Sequence, residues 1–343
     1  MKRFIVSMCA VALSTSMFMG CAKQPETEEP KVEDNQKEES KGNVMNFANG
    51  QLELPAKFEN FVVANYTLLE NFVALGVAPT YGTVAEKTEP VTDYYNDWVR
   101  AFDDFDLQSI TRINQKSDTF IEELISYKPE FIVTTEGDRN IEKYAEIAPT
   151  YVFPAVKDIP EGSSKWKEEF KFVASFLGKE DLGEEMIADY DKLRDESRKA
   201  VASEIKGKTA LVVQLNEKGF KIRMPETQAS IYEDLGFKVP EGLTADFAST
   251  GVSNEDGSFP VEQIVQFNPD YMFIQTQSDE NYLSLVGTPI WENIQAVKDG
   301  RVYEITQSGW NHLNGYLANT MRIEDLVYFI QEDEQIAVDT PIK

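Results

Sequence analysis

The sequence predicts an α/β protein of two lobes, each built around a mostly parallel sheet, joined by a long rigid helix. Three observations carry this reading. Two segments share one pattern, strands alternate with helices in both halves, and an almost continuous helical stretch lies between them. The paired segments are 120–133 and 260–274. Each reads as a short amphipathic helix, a turn at Lys128-Pro129 or Asn268-Pro269, and then a buried strand. In each, a glutamate (Glu122 or Glu262) stands seven positions before the proline, near the helix start, where negative charge is favoured.

The remaining elements follow in order. Phe61 to Ala64 reads as a short strand, and Thr67 onward as a helix ending at Gly76. In the second half Thr209 to Leu215 is a strand, and Ser230 to Leu235 repeats the helix that ends on a glycine, Gly236. Such alternation implies parallel sheets with right-handed crossovers. Lys165 to Ile205 is helical in pattern, interrupted between Gly178 and Gly183. Its second part, Glu184 to Ile205, would span about 33 Å, enough for a stiff strut between lobes. The expected organisation is a signal peptide at 1–20, a flexible acidic tether at 21–46, a first lobe at 47–164, a helical region at 165–206 and a second lobe at 207–343.

The chain begins with Lys2 and Arg3, then an apolar run from Phe4 to Met19, then Gly20 and Cys21. This pattern is that of a secretory signal, and the 16-residue run is short for a membrane span, which needs about 20. Phe18-Met19-Gly20-Cys21 resembles a bacterial lipobox, with Phe18 where that motif usually carries an aliphatic residue. Cys21 is therefore the expected lipidation site. A plain signal peptide and an uncleaved anchor are the alternatives, and all three place the folded part outside the cytoplasm. Residues 22–46 hold seven Asp or Glu, four Lys and two Pro. They have too little apolar surface to offset the entropy of ordering, which makes them a tether.

Of the two cysteines, Cys9 leaves with the signal, so the mature chain has no internal disulfide and must rely on a core of ordinary size. Acidic residues outnumber basic ones 59 to 33, a formal net charge of -26, and no basic run offsets it. Such a field repels nucleic acid. It does not forbid a few convergent arginines from making a local positive pocket. No Gly-x-Ser-x-Gly elbow, His-Glu-x-x-His site or phosphate-binding loop is present, so the expectation is a binding protein and not an enzyme. His312 is the single histidine, a poor basis for a bare zinc or manganese site.

Six stretches in order carry a resemblance: 69–79, 127–133, Ile147-Ala148-Pro149-Thr150, 231–237, Phe267-Asn268-Pro269-Asp270, and Trp291 ahead of 294–298. The sequence resembles the substrate-binding lipoproteins of iron-siderophore ABC importers. These belong to the helix-backbone class, class III of periplasmic binding proteins, which also holds haem and cobalamin binders. The resemblance spans residues 55–331. It implies two lobes flanking a shallow cleft, closure limited by a rigid helix, and one glutamate per lobe docking onto a permease dimer. Glu122 and Glu262 match those docking positions, with Glu123 adjacent; the other reading is that they only stabilise helix starts. The implied protein is a monomer anchored through Cys21 on the outer face of the cell membrane, as in Gram-positive bacteria. It has no cofactor of its own and carries ferric iron as a siderophore complex.

Cargo contacts are expected on loops at strand ends. First-lobe candidates are Tyr66, Tyr81, Tyr94, Tyr95, Trp98, Arg100, Arg112 and Arg139; second-lobe candidates are Arg223, Trp310 and His312. Arginine offers directed donors to chelating oxygens, and Tyr and Trp offer flat amphipathic surface. By resemblance, Arg223 matches a ligand-binding arginine of hydroxamate-type members, which favours a hydroxamate-like ferric siderophore. Catecholate, ferric citrate, haem (with His312 or a tyrosine as axial ligand) and cobalamin are the other cargoes. A structural surface lipoprotein without transport is the remaining alternative.

Overall fold

Phenylalanines set the centre of the first lobe. Phe61, Phe72, Phe131, Phe153 and Phe176 are all nearly inaccessible and pack ring against ring, with Phe61 and Phe131 stacked at 4.9 Å. A computed structural model describes residues 44–84, 100–102, 105, 107–160, 163–216, 219–244, 258–276, 285–305, 310 and 313–332. Cys21, Tyr94, Tyr95, Trp98 and His312 lie outside the described residues. The chain divides into residues 1–41, which are not described, and a compact unit of residues 42–343.

That unit opens with a hairpin, β1 (Val44–Phe47) and β2 (Gly50–Glu53). Its first strand therefore falls within the stretch 21–46 that the sequence suggests as a tether. Val44 to Phe47 alternates in burial, and Phe47 packs on Tyr151 and Phe153.

The first lobe's sheet comprises β3 (Phe61–Val63), β4 (Tyr81–Gly82), β5 (Thr111–Arg112), β6 (Phe131–Thr135) and β7 (Thr150–Phe153), all parallel, in the order β5-β4-β3-β6-β7. The order reverses between β3 and β6, so the crevice at their carboxyl ends is the natural ligand side. Three helices connect these strands: α1 (Tyr66–Ala74), α2 (Phe120–Tyr127) and α3 (Ile141–Ile147).

Two helices follow, α4 (Lys165–Phe176) and α5 (Glu180–Ile205). The break falls where expected, but α5 starts at Glu180 and runs through Gly183. A Cβ there would come within 2.7 Å of Ala174, so glycine permits the close packing of α4 on α5. With 26 residues α5 is about 39 Å long.

The second sheet has the order β11-β10-β8-β9. It contains β8 (Ala210–Asn216), β9 (Gly219–Ile222), β10 (Tyr271–Thr276) and β11 (Val302–Glu304). Strands β8, β10 and β11 are parallel, and β9 returns antiparallel. Short helices α6 (Ile264–Phe267), α7 (Pro289–Glu292) and α8 (Gln295–Lys298) flank it, with a π-helical turn at Ser230–Leu235. The last helix is α9 (Tyr316–Glu332). Both sheets are thus mostly parallel, as the sequence predicts.

The paired segments fold alike. Lys128 and Asn268, each preceding a proline, are the only non-glycine residues with positive φ among the described ones, at 49° and 36°. This left-handed residue ends the helix, and the proline then directs the chain into β6 or β10.

Both α5 and α9 serve two cores. Ile187 and Tyr190 of α5 join the first lobe's core, and Val201 and Ile205 join the second. Ala318 and Ile323 of α9 belong to the first, Leu326 and Ile330 to the second. The chain after residue 207 is therefore not confined to one lobe: its final helix bridges both.

Glu70 fixes this arrangement. It lies in the middle of α1, is 0% exposed, and accepts backbone N–H groups from Asn314 (3.1 Å), Gly315 (2.8 Å) and Ala318 (2.6 Å) at the start of α9. Asn71 Oδ1 takes a fourth, from Tyr316. Buried Arg322 lends a favourable charge to Glu70 while donating to Asn314 Oδ1 and the Leu313 carbonyl. A Cβ on Gly315 would sit 2.2 Å from Asn71 Oδ1, so only glycine admits the clasp.

Burial raises the Glu70 carboxyl to about 7, against the opposing pull of those N–H donors and Arg322. Between pH 4.5 and about 7 the folded chain keeps a proton that the unfolded chain has released. Stability therefore falls as pH rises through that window, by at most about 3 kcal/mol. Urea unfolding of the wild type should show this slope, and Glu70→Gln should lack it; parallel curves would refute the assignment. Glu70→Ala, which strands buried N–H groups beside Arg322, should cost about 3 kcal/mol or more near pH 4.5, and the cost should shrink as pH rises toward 7 because the variant lacks the slope.

Candidate functional site

The second lobe holds an arginine whose charge is only partly answered. Strand β9 pairs with β8 until Ile222, and the next residue, Arg223, extends the ladder by donating its N–H to the Val212 carbonyl at 2.9 Å. Its guanidinium Nη2 donates to Gln214 Oε1 at 2.7 Å. Its Nε is buried without an acceptor, and no described carboxylate pairs with it. Desolvation alone pulls the guanidinium below its ordinary range. A half-buried cation with an unused donor suits an incoming anionic oxygen.

Gln214 faces Gln275 across the β8–β10 register, and both amides are almost fully buried. This pair places polar side chains near the carboxyl ends of two central strands, among otherwise apolar neighbours. The sequence shows each glutamine within a hydrophobic run, a signal that was available but not used.

Other candidates fall elsewhere. Trp310 is 0% exposed; its ring stacks on Phe273 at 5.8 Å and its Nε1–H donates to Asp325 Oδ2 at 3.3 Å. Trp310 was expected among the loop contacts, but the indole fills the second lobe's core. Arg100 meets the same Asp325 through two bonds of 2.8 Å. This pair ties it to α9. Tyr81 stacks on Tyr127 at 4.1 Å and 9°, on the sheet face covered by α2, because its register position beside Val62 points it there. Tyr66, at the start of α1, packs against the first core. Arg112 is half-buried on edge strand β5, and Arg139 is exposed after β6.

Glu122 and Glu262 are both exposed, in the first turn of α2 and in the turn 261–263. Neither has a hydrogen bond or ion pair among the described residues. In the first turn of α2 the local contact belongs to Glu123, which accepts the Thr119 hydroxyl at 2.7 Å. Among the described residues no helix is long and apolar enough to cross a membrane.

Residues 62–308, well over half the chain, match the Periplasmic binding protein family. The chain belongs to this family. The Iron-uptake system-binding protein of Bacillus subtilis (strain 168) is 29% identical over 199 residues, covering 55% of this chain and 59% of that protein. The Probable siderophore-binding lipoprotein YfiY of the same organism is 24% identical over 289 residues, 81% of this chain and 84% of that one. Among solved structures, the triscatecholate siderophore binding protein FeuA from Bacillus subtilis, complexed with Ferri-Bacillibactin, superposes with a TM-score of 0.64 at 19% identity. That match covers 84% of this chain and 98% of FeuA and establishes the shared fold.

Core and contact roles separate experimentally. Trp310→Ala should destabilise the fold by about 3–5 kcal/mol in urea unfolding. Arg223→Gln, at a half-buried position with one side-chain partner, should change stability by about 1 kcal/mol or less. An unfolding midpoint untouched by Trp310→Ala would remove the indole from the core.

Proposed function

We propose that this protein captures a ferric siderophore outside the cytoplasm and delivers it to the permease of an ABC importer, with no covalent chemistry. The observation that carries this reading is Arg223: a desolvated guanidinium with a free Nε beside a buried glutamine pair, in a fold whose relatives bear iron-uptake and siderophore names. A hydroxamate-like chelate fits the site through its anionic oxygens. Arg112 and Arg139, on or after first-lobe strands, would meet the other side of the cargo; Trp98 and His312, the further candidates, lie outside the described residues.

Docking would use the two exposed glutamates. Glu122 and Glu262 stand at equivalent places in twin units, one per lobe, and present uncompensated carboxylates to solvent. A permease dimer with one basic patch per subunit would match that spacing. A lipid on Cys21 would hold the chain at the membrane through the 22–43 stretch, and a single acyl chain would be too weak for this. The protein would act as a monomer.

Titration of the full chain with ferric hydroxamate, ferric catecholate, ferric citrate, haem and cobalamin, followed by tryptophan quenching, tests the cargo. Saturable quenching by a ferric hydroxamate, weakened at least tenfold in Arg223→Gln, is expected; tight binding of haem or cobalamin alone would overturn the siderophore reading. For docking, Glu122→Ala and Glu262→Ala should leave cargo affinity unchanged while uptake into cells or proteoliposomes falls at least tenfold. Normal uptake by the double variant would end the docking assignment.

A further inference from the structure

A glutamine in a buried strand fixes which part of Arg223 faces outward. Strand β8 runs Ala210-Leu211-Val212-Val213-Gln214-Leu215-Asn216 and is buried from its start to Leu215. Gln214 is the only polar side chain in that buried run and is 5% exposed. A side-chain amide there is costly unless its oxygen finds a donor.

The donor is Arg223. Its backbone stands across from Val212, one step beyond the pair Val213 and Ile222, and its N–H donates to the Val212 carbonyl at 2.9 Å. Gln214 lies two residues on from Val212, hence on the same face of the sheet, at the diagonal position that long side chains can reach. There Gln214 Oε1 accepts Arg223 Nη2 at 2.7 Å. Arg223 Nε is buried without an acceptor. Of the three guanidinium nitrogens, only Nη1 is neither bonded nor enclosed among the described residues. It is the nitrogen that a cargo oxygen can meet.

The chemistry of position 214 then decides how much charge Arg223 offers. A carboxylate in this place would pair with the guanidinium and compete with any anionic oxygen from outside. An aliphatic side chain would leave Nη2 without its acceptor and the guanidinium free to turn. Glutamine supplies the length and an acceptor without charge. No charged neighbour offsets the guanidinium either, because burial is the one influence acting on its ionisation.

We propose that Gln214 is a positioning residue for cargo capture: it turns Arg223 so that Nη1 faces the incoming chelate and, being uncharged, leaves the guanidinium's charge to that chelate. This role rests on the reading of Arg223 as a cargo contact.

The test is the affinity of the full chain, by tryptophan quenching, for ferric hydroxamate, or for ferric catecholate or ferric citrate if the wild type takes one of those instead. Gln214→Glu should bind at least thirtyfold more weakly while its urea midpoint stays at or above that of the wild type, because the new carboxylate gains an ion pair. A purely structural role would lower both readings together. Gln214→Leu should bind at least tenfold more weakly by itself, yet cost no more than twofold further when added to Arg223→Gln; this cycle decides if Gln214→Glu fails to fold. Affinity within threefold of the wild type in either single variant, or additive losses in the double variant, would overturn the proposal. A wild type that binds none of the chelates would end the siderophore reading instead. Gln214 is then judged by the reaction of Arg223 with phenylglyoxal, followed by peptide mass, which Gln214→Glu should slow at least tenfold; equal rates would refute the positioning role.

Discussion

One carboxylate holds the two lobes in register. Glu70 reaches from the interior of α1 to the beginning of α9 and accepts the Gly315 and Ala318 N–H groups, two of the four donors that the helix start leaves open, together with that of Asn314 just before it. The same helix then runs through the first core into the second. Loss of this contact would free α9 from the first lobe and leave α5 as the main bridge. The clasp also explains two features that look unfavourable alone: a glutamate and an asparagine in a helix buried on all sides, and a glycine just before a long helix.

Around the clasp the junction is polar but closed. Tyr190 of α5 donates to Asp234 at 2.6 Å, and Arg198 holds the carbonyls of Asp234 and Glu233. Lys167 of α4 lies over the Tyr190 ring and pairs with Asp191. Arg100 and Trp310 meet on Asp325. Directional bonds of this kind tolerate little sliding, unlike an apolar contact of equal area. Two helical bridges pinned in this way oppose large hinge closure between the lobes.

The excess of acidic side chains does not extend to the surroundings of Arg223. Arg223 sits with glutamines and no carboxylate, so its local field is positive within a chain of net charge -26. The exposed Glu122 and Glu262 are of the opposite kind, negative charges without local partners. Charge thus divides by location: cationic where cargo would enter, anionic where a basic partner would meet the protein.

Much of the fold was legible because it rests on local chemistry. The helix, left-handed residue, proline and strand succession is written in neighbouring residues, and it recurs at Lys128 and Asn268 with the same backbone sign. The helical bridge and its break, the glycine-ended helices and the buried strands follow from periodicity in the same way. The site was less legible. Arg223 was singled out by resemblance alone, while Trp310, Arg100 and Tyr81 read as cleft groups and are held by Asp325, Phe273 and Tyr127, partners from other segments. Amphipathic side chains serve core, junction and pocket equally well, so composition cannot sort them. The sequence by itself determined two α/β lobes, the twin glutamates and a bridging helix. Only the tertiary structure decided that α9 bridges as well, that Glu70 clasps it, and which arginine keeps an unused donor. Each of those depends on atoms brought together across up to some 250 residues of chain, and sequence spacing carries no record of such meetings.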